Sequence, residues 1–205
     1  MNRFHTIAVT AIAGFVLVAC GPAASGTASQ GGQASHAASQ GAQASGGLEA
    51  SFGEGVVAEL EALIPSTVGD LTMTKSSFRG NDYALDPSAD ADTIQFLNDV
   101  GVSLSDIAMA IGFGFSTDGA SGASVIVIRA SGADSGKLVA AFKTNMQATG
   151  SGSPVQWSSA NVGGKQVETN GDASQATYLY VKGDTLFIVS ATPDTIAAEI
   201  LSGLP

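Results

Sequence analysis

Large apolar residues occupy every second position of segment 107–115, and only alanine and glycine stand between them. The large residues are Ile107, Met109, Ile111, Phe113 and Phe115, and the small ones are Ala108, Ala110, Gly112 and Gly114. This period of two predicts a strand with one bulky face and one nearly bare face. The bare face could receive a closely packed helix or leave room beneath the sheet for an apolar ligand.

Other apolar segments of suitable length predict further strands, and two of the turns between them are short and contain glycine. The predicted strands cover 71–78, 124–130, 155–162, 165–169, 177–181 and 185–191. Gly163-Gly164 and Lys182-Gly183-Asp184 each separate two such segments, which is typical of β-hairpins.

Four segments have the helical spacing of apolar positions. The first places Val56, Leu60 and Ile64 on one side and ends at Pro65, and the second follows Asp90 or Asp92 and ends at Gly101. These residues are typical of helix starts and stops. The third runs from Asp134 or Ser135 to Gly150, and the last begins after Thr192, with Pro193 at its first position. A capping-box spacing at 103–106 predicts one further tight turn.

The resulting element order is α-β-α-β-β-α-β-β-β-β-α, and consecutive hairpins favour antiparallel pairing. The predicted fold class is therefore α+β, an antiparallel sheet of about six strands with helices covering one face. We expect a single globular domain over residues 48–205, which is long enough to bury a substantial core without disulfides.

Residues 1–19 have the features of a signal peptide. Arg3 supplies a positive start, and Thr6 to Val18 forms an apolar run that ends in small residues. Thirteen helical residues span only about 20 Å, short of the ~30 Å hydrocarbon core, so a permanent transmembrane helix is the weaker interpretation.

The sequence Leu17-Val18-Ala19-Cys20 directly follows this apolar run, and Cys20 is the only cysteine of the chain. It resembles the lipobox of bacterial lipoproteins, although the resemblance covers only four residues. It implies recognition of Leu17, Val18 and Ala19 by signal peptidase II and a diacylglycerol on the Cys20 sulfur. The alternative is an ordinary secretory signal with a chance cysteine, which would leave an unpaired thiol in an exported protein.

Residues 20–47 contain small and polar residues and no charge, and a ten-residue pattern occurs twice within them. Such a composition predicts a disordered linker with a mean reach of about 30 Å. The layout resembles that of small extracytoplasmic lipoproteins, which have a lipobox, a Ser/Gly/Ala stalk and one α+β domain. Two stretches of the domain, Leu63-Ile64-Pro65 and segment 180–184, also resemble these proteins. The resemblance implies that the domain lies on the outer side of the cell membrane, lipid-anchored at Cys20.

The charge balance argues against one class of partner. With Arg3 in the leader, seven basic and 18 acidic residues remain, which gives the mature chain a net charge of −11. An acidic surface repels phosphate backbones, so we expect no nucleic-acid binding, and it favours solubility.

The residue inventory supplies no catalytic, cofactor-binding or metal-binding signature. Both histidines, His5 and His36, and the only cysteine precede the domain, which excludes a Ser-His-Asp triad, a Cys-His pair and a His/Cys zinc site within it. Asp82, Asp86, Asp90 and Asp92 lie in one loop without EF-hand spacing, so helix capping explains them better than calcium binding. We therefore expect no enzyme, cofactor or metal.

Aromatic residues near the end of the chain allow two interpretations. Tyr178 and Tyr180 would share one face of a strand, and Trp157 lies in the preceding hairpin. They could form a platform for a sugar or peptide, but packing against Phe187 or a covering helix is the commoner outcome.

Three functions remain open. The leading hypothesis is a surface-displayed binding module with an envelope protein as its partner, because the chain has an anchor, a stalk and no catalytic groups. A carrier of an apolar small molecule such as a lipid is the alternative, motivated by the bare strand face and a mean hydropathy of +0.25. A carboxylate-based hydrolase comes third, because converging carboxylates cannot be read from spacing.

Overall fold

The protein is described by a computed structural model that covers residues 53–83, 85, 90–149, 155–171 and 176–205, with only the backbone given at 148–149. The predicted boundaries at 19/20 and 47/48 therefore lie outside the described residues. Within these ranges, none of the helices is both long and apolar enough to cross a membrane.

Four helices and nine strands make up the described part of the chain. The helices are α1 (Ala58–Glu61), α2 (Ala91–Val100), α3 (Ser135–Thr149) and α4 (Asp194–Gly203). The strands are β1 (Thr67–Val68), β2 (Leu71–Thr72), β3 (Thr74–Arg79), β4 (Ile107–Phe115), β5 (Gly122–Ala130), β6 (Ser158–Val162), β7 (Lys165–Asn170), β8 (Thr177–Lys182) and β9 (Thr185–Thr192). Single 3₁₀ turns lie at Gly80–Asp82 and Leu104–Asp106.

Seven of the strands form one antiparallel sheet in the order β3-β4-β5-β9-β8-β7-β6. Each of its two halves, β3–β5 and β6–β9, pairs strands that are consecutive in the sequence. The halves meet at β5 and β9, and α3 carries the chain from one half to the other. This arrangement confirms the predicted α+β class and the antiparallel sheet.

Helices cover both faces of this sheet, so the prediction of a single covered face is wrong. We call the side that packs against α1 and α4 the α1–α4 face, and the opposite side the α2–α3 face. In β5, Val125 and Val127 face α1 and α4, whereas Ile128 faces α2 and α3. Because the central strands are apolar on both sides, both sides need a covering layer, as in buried sheets generally.

The bare face of β4 is filled by close packing. A Cβ atom added to Gly112 would stand 2.6 Å from Ile64 Cγ2, and one added to Gly114 would stand 2.8 Å from the Thr72 carbonyl oxygen and 3.0 Å from Met73 Sδ. Of the two uses that the sequence allowed for this face, the structure shows the closely packed one. The segment after α1 and the β1–β2 hairpin occupy the space in which an apolar ligand would have lain.

The strand predicted at 71–78 is divided at Met73. Gly69, with a φ of +53°, forms with Asp70 a two-residue turn that pairs Val68 with Leu71 in a separate two-stranded sheet. The Met73 N–H then donates to the Ser66 carbonyl oxygen at 2.9 Å, and β3 begins at the next residue. Because β2 pairs with β1 whereas β3 pairs with β4, the prediction of one continuous strand over 71–78 is wrong.

Most local signals for turns and helix ends are confirmed. Gly101 ends α2 in the left-handed region at φ +83°, and Gly163-Gly164 forms the two-residue turn between β6 and β7. Ser103 and Asp106 form the predicted capping box. The last helix starts at Asp194, one residue after the predicted start at Pro193.

Candidate functional site

A groove of about 560 Å³ lies between α3 and strands β6–β8 on the α2–α3 face. We call it the α3 groove. Its apolar lining comes from Val139, Ala140, Leu179 and Val181, and its polar lining includes Lys143, Ser159, Gln166 and Glu168. Its volume lies within the range of about 300–1,000 Å³ found for ligand pockets, although the groove is wide open to solvent.

Two periodicities bring these side chains together. In α3, Val139 and Lys143 are four residues apart and therefore lie on the same side of the helix. In β7, Gln166 and Glu168 are two residues apart and share one face, and Glu168 pairs with the buried Leu179 of β8. Asp134 holds the start of α3 through a 3.0 Å hydrogen bond from the Lys137 N–H to its Oδ1.

A chain of three polar residues crosses the α3 groove. Lys143 Nζ donates to Glu168 Oε2 at 2.6 Å, and Ser159 Oγ donates to Glu168 Oε1 at 2.7 Å. The side chains of Lys143 and Glu168 are 26% and 31% exposed, so solvent screens the ion pair only in part. The hydrogen bond from Lys143, followed by that from Ser159, holds the pKa of Glu168 below its ordinary value.

Trp157 joins this cluster on the same face. Lys143 Nζ lies 5.6 Å from the centre of the Trp157 ring, which is within the range of a cation–π contact. The Trp157 Nε1–H is buried without a hydrogen-bond acceptor among the residues described. Trp157 also lines a second groove of about 520 Å³, with Val155 and Thr169 among its neighbours.

The cluster is better suited to binding than to catalysis. A general base works best when its pKa lies near the operating pH, whereas the hydrogen bonds of Glu168 lower its pKa, so it is a weak base for activating Ser159. Glycoside hydrolysis needs two opposed carboxyl groups, and Glu168 is the single carboxylate in the described lining of this groove. In the described ranges, no group of three or more His, Cys, Asp or Glu side chains could hold a metal ion.

The predicted lipidation site, Cys20, lies outside the described residues. The residues predicted for signal peptidase II recognition, Leu17, Val18 and Ala19, and the histidine His36 also lie outside them. Its assignment therefore rests on the sequence alone.

The aspartate loop is described only in part, because Asp86 lies outside the described residues. Asp90 occupies the N-cap position of α2, but its side chain makes no capping hydrogen bond, so the prediction of side-chain capping is wrong. Its Oδ1 accepts a 2.9 Å hydrogen bond from the Tyr83 hydroxyl instead. Burial, and then the Asp90 hydrogen bond, raises the pKa of Tyr83. Asp90 thus holds this segment against the start of a helix.

The tyrosines of β8 pack into the protein and do not join Trp157. Tyr178 is buried in the core of the α1–α4 face, where burial and then Asp194 raise its pKa. Tyr180 stacks on Phe187 with ring centres 5.6 Å apart. Both rings lie on the α1–α4 face, whereas Trp157 packs on the other, so the expected packing against Phe187 and a covering helix is confirmed.

Sequence reasoning missed the Lys143–Glu168–Ser159 cluster. Lys143 and Glu168 are 25 residues apart, and Ser159 and Glu168 are nine apart. The alternation of polar residues in β7 predicts that Gln166 and Glu168 share a face, but no signal in the sequence tells which helix crosses that face.

Comparison of the chain with protein-family models, with curated proteins and with solved structures gives no match.

Proposed function

We propose that this chain is a membrane-anchored extracytoplasmic lipoprotein whose α+β domain is a binding module, and that the α3 groove binds its partner. The observation that carries the proposal is the cluster in that groove. A paired ammonium and carboxylate stand beside an apolar floor formed by Leu179 and Val181. A partner peptide with an apolar side chain next to a hydrogen-bonding group matches this arrangement.

The contacts within the cluster support a site that is ready for a partner. Glu168 accepts hydrogen bonds from both Lys143 and Ser159, and the Lys143 ammonium also lies over the Trp157 ring. Side chains that are already held in place lose less entropy when a partner binds. Val139, which is half-buried, has apolar surface left to cover.

The anchor part of the proposal is supported by the lipobox-like sequence that ends at Cys20. Cys20 precedes the first described residue, Gly53, by 33 positions, and the composition of residues 20–47 predicts a linker without stable structure. Such a tether would hold the groove near the membrane and open to proteins of the cell envelope.

The hypothesis of an apolar-ligand carrier loses one of the two observations that favoured it. The bare face of β4, with Gly112 and Gly114, is packed against Ile64 and Met73. A carrier needs an enclosed apolar cavity of several hundred Å³, whereas the α3 groove has a polar cluster across it.

A photo-crosslinking experiment on the full-length, acylated chain in cells tests this proposal. A photoreactive phenylalanine analogue replaces Val139 in the groove, and the same analogue replaces Lys137 in a matched control. Lys137 lies on the same helix, is exposed and does not line the groove. We expect one discrete envelope protein, identified by mass spectrometry, to be captured at position 139 and not at position 137.

A second variant tests the role of the polar cluster. Adding Lys143→Ala to the chain with the analogue at position 139 should remove most of the captured product, while circular dichroism confirms an unchanged fold. Equal capture at positions 137 and 139, or capture that does not respond to Lys143→Ala, would refute binding in the α3 groove.

A further inference from the structure

The two outer strands of the sheet differ in how their free edges are protected. On the outer side of β3, the Gly53 N–H donates to the Ser77 carbonyl oxygen at 3.3 Å, and the Ser77 N–H donates back to the Gly53 carbonyl oxygen at 3.0 Å. This strand also carries Lys75 and Arg79. A covering segment and cations are common means of keeping an edge strand from pairing with other chains.

Strand β6, at the other end of the strand order, has neither form of protection. Within the described ranges, no segment pairs with its outer side. Its five residues include no charged residue and no proline, and its pairing with β7 is continuous, without a bulge. An edge of this kind is open to pairing with another extended chain.

The outward backbone groups of β6 belong to Ser159 and Asn161. The Gly163-Gly164 turn has positive φ at both residues, and a turn of this type is closed by a hydrogen-bonded pair, here Val162 and Lys165. Because hydrogen-bonded and non-bonded pairs alternate along an antiparallel ladder, the N–H and C=O groups of Ser159 and Asn161 point away from β7. Both residues are exposed, and no described residue bonds to these backbone groups.

A strand added to this edge would run beside two grooves. Ser159 lines the α3 groove, and Ser158 lines the second groove together with Trp157. Residues that pair directly across two strands share one face of the sheet, so partner residues opposite Ser159 and Asn161 would direct their side chains to the α2–α3 face. Trp157 packs on that face and is half-buried. Every second side chain of the partner would therefore lie near the indole ring or the rim of the α3 groove.

The charges around this edge favour an uncharged peptide. The described lining of the second groove contains no charged residue, and in the α3 groove Lys143 and Glu168 are already paired with each other at 2.6 Å. A charged partner side chain would lose water there without gaining a free opposite charge. The net charge of −11 in the mature chain disfavours a second, equally acidic copy as the occupant.

We propose that β6 receives an extended, uncharged segment of a partner protein as an additional strand of the sheet, with apolar side chains at alternate positions of that segment. This inference rests on the proposed function, because it gives the form in which the partner of the α3 groove binds. Backbone hydrogen bonds to Ser159 and Asn161 supply affinity and the two grooves select side chains, as is general in strand addition.

Selection from a peptide library supplies the probe. Random peptides of roughly ten residues, long enough to span β6, are displayed on phage and selected on the full-length, acylated protein in phosphatidylcholine nanodiscs, after depletion on empty nanodiscs. We expect the recovered peptides to alternate apolar and uncharged polar residues. The tightest binder is then synthesised, and its Kd is measured by fluorescence anisotropy.

Two N-methylated forms of that peptide test the backbone contacts. One form is methylated on the amide nitrogens of its odd positions and the other on those of its even positions, so the side chains are identical and each form loses the donors of one edge only. We expect one form to lose affinity about tenfold or more, and the other to bind like the parent peptide. Equal affinity of the two forms would overturn the inference.

A proline at position 161 tests the edge of β6 itself. Asn161→Pro removes an outward N–H and no bond to β7, a change that edge strands tolerate, whereas Asn161→Thr keeps the N–H and is the matched control. We expect Asn161→Pro to weaken binding about tenfold and Asn161→Thr to change it by less than about twofold. Equal binding by the two variants would overturn the inference. If Asn161→Pro does not fold, the pair of N-methylated peptides decides the question.

These measurements distinguish failure of this inference from failure of the proposed function. A peptide that loses affinity with Lys143→Ala but not with Asn161→Pro binds in the α3 groove without adding a strand, which overturns this inference alone. Recovery of no peptide also overturns it, while the crosslink at position 139 still reports on the groove. A dimer of the free protein in which the Asn161 amide is protected from hydrogen exchange would overturn it in favour of a second copy.

Discussion

The Ser77 hydroxyl donates a 2.5 Å hydrogen bond to Glu61 Oε1, and this contact joins β3 to α1 in the protein interior. The two residues are 1% and 8% exposed. Ser77 Oγ also accepts the Val57 N–H at 2.6 Å, and Glu61 Oε1 accepts the Gly55 N–H at 2.8 Å. Helix α1 has only four residues, so these side-chain contacts, more than helix propensity, hold it in place.

Replacing Ser77 with alanine should destabilise the protein without altering the α3 groove. The substitution leaves the Val57 N–H without its acceptor and Glu61 with one donor fewer, in a buried place. Buried polar groups that lose their partner cost about 1–3 kcal/mol each. Urea denaturation followed by circular dichroism measures the loss.

The neighbouring serine supplies the control. Ser76 is half-buried and projects to the opposite face of the sheet, so Ser76→Ala should change the free energy of unfolding much less. If the two variants are equally stable, the Ser77–Glu61 contact contributes nothing to the fold.

Replacing Gly112 with alanine should also destabilise the fold, because the new methyl group would stand 2.6 Å from Ile64 Cγ2. Extra carbon atoms in a filled core typically cost about 1–3 kcal/mol. Gly203→Ala, at the end of α4 with no atom within 4 Å of its added Cβ, is the control and should be neutral or slightly stabilising. An unchanged midpoint of thermal unfolding for Gly112→Ala would mean that room remains beneath β4.

Glu168 should make the stability of the protein depend on pH in the acid range. Its pKa in the folded protein lies below the ordinary value of 4.5, so folding favours the carboxylate form. The stabilising contribution is therefore complete above about pH 4.5 and is lost as the pH falls through the folded-state value. The wild type should be more stable than Glu168→Gln at pH 7, and the difference should shrink as the pH falls below about 4.5, as measured by urea denaturation.

The background of Lys143→Met provides the control for this pH dependence. Lys143 is the main cause of the lowered pKa of Glu168, so Glu168→Gln should have a smaller effect at pH 7 when Lys143 is absent. An equal effect in both backgrounds would show that the ion pair does not favour the folded state.

Cys20→Ala should release the protein from the membrane fraction. The expected anchor is the acylated sulfur of that residue, and each buried CH₂ group of an acyl chain contributes about 0.8 kcal/mol to membrane binding. Fractionation of cells with and without detergent, followed by immunoblotting, measures the distribution. Retention of the variant in the membrane fraction until detergent is added would contradict the lipoprotein assignment.

Features that depend on a few adjacent residues could be predicted from the sequence. Gly101 ends α2, and Gly163-Gly164 joins β6 to β7, because glycine adopts positive φ without steric strain. The period of two in residues 107–115 likewise indicated β4. The break at Met73 shows the limit of this approach, since residues 71–78 also fit one continuous strand.

Features that depend on how distant elements meet could not be predicted. Lys143 reaches Glu168 because α3 crosses the face of the sheet on which Glu168 lies. No local pattern in α3 or β7 encodes which face the helix crosses. The same holds for Ile64, whose contact with Gly112 spans almost 50 positions. Each interaction is a product of the topology.

The two halves of the sheet also imply an order of folding. Five of the six strand pairings join consecutive strands, and β5–β9 alone joins the halves. Pairing of consecutive strands closes short loops and is fast, whereas the β5–β9 pairing must wait for a long loop to close. Until it forms, two edges rich in valine and isoleucine stay open to other chains. We therefore expect the slow step of folding, and the risk of aggregation before the sheet is complete, to concentrate at the pairing of β5 with β9.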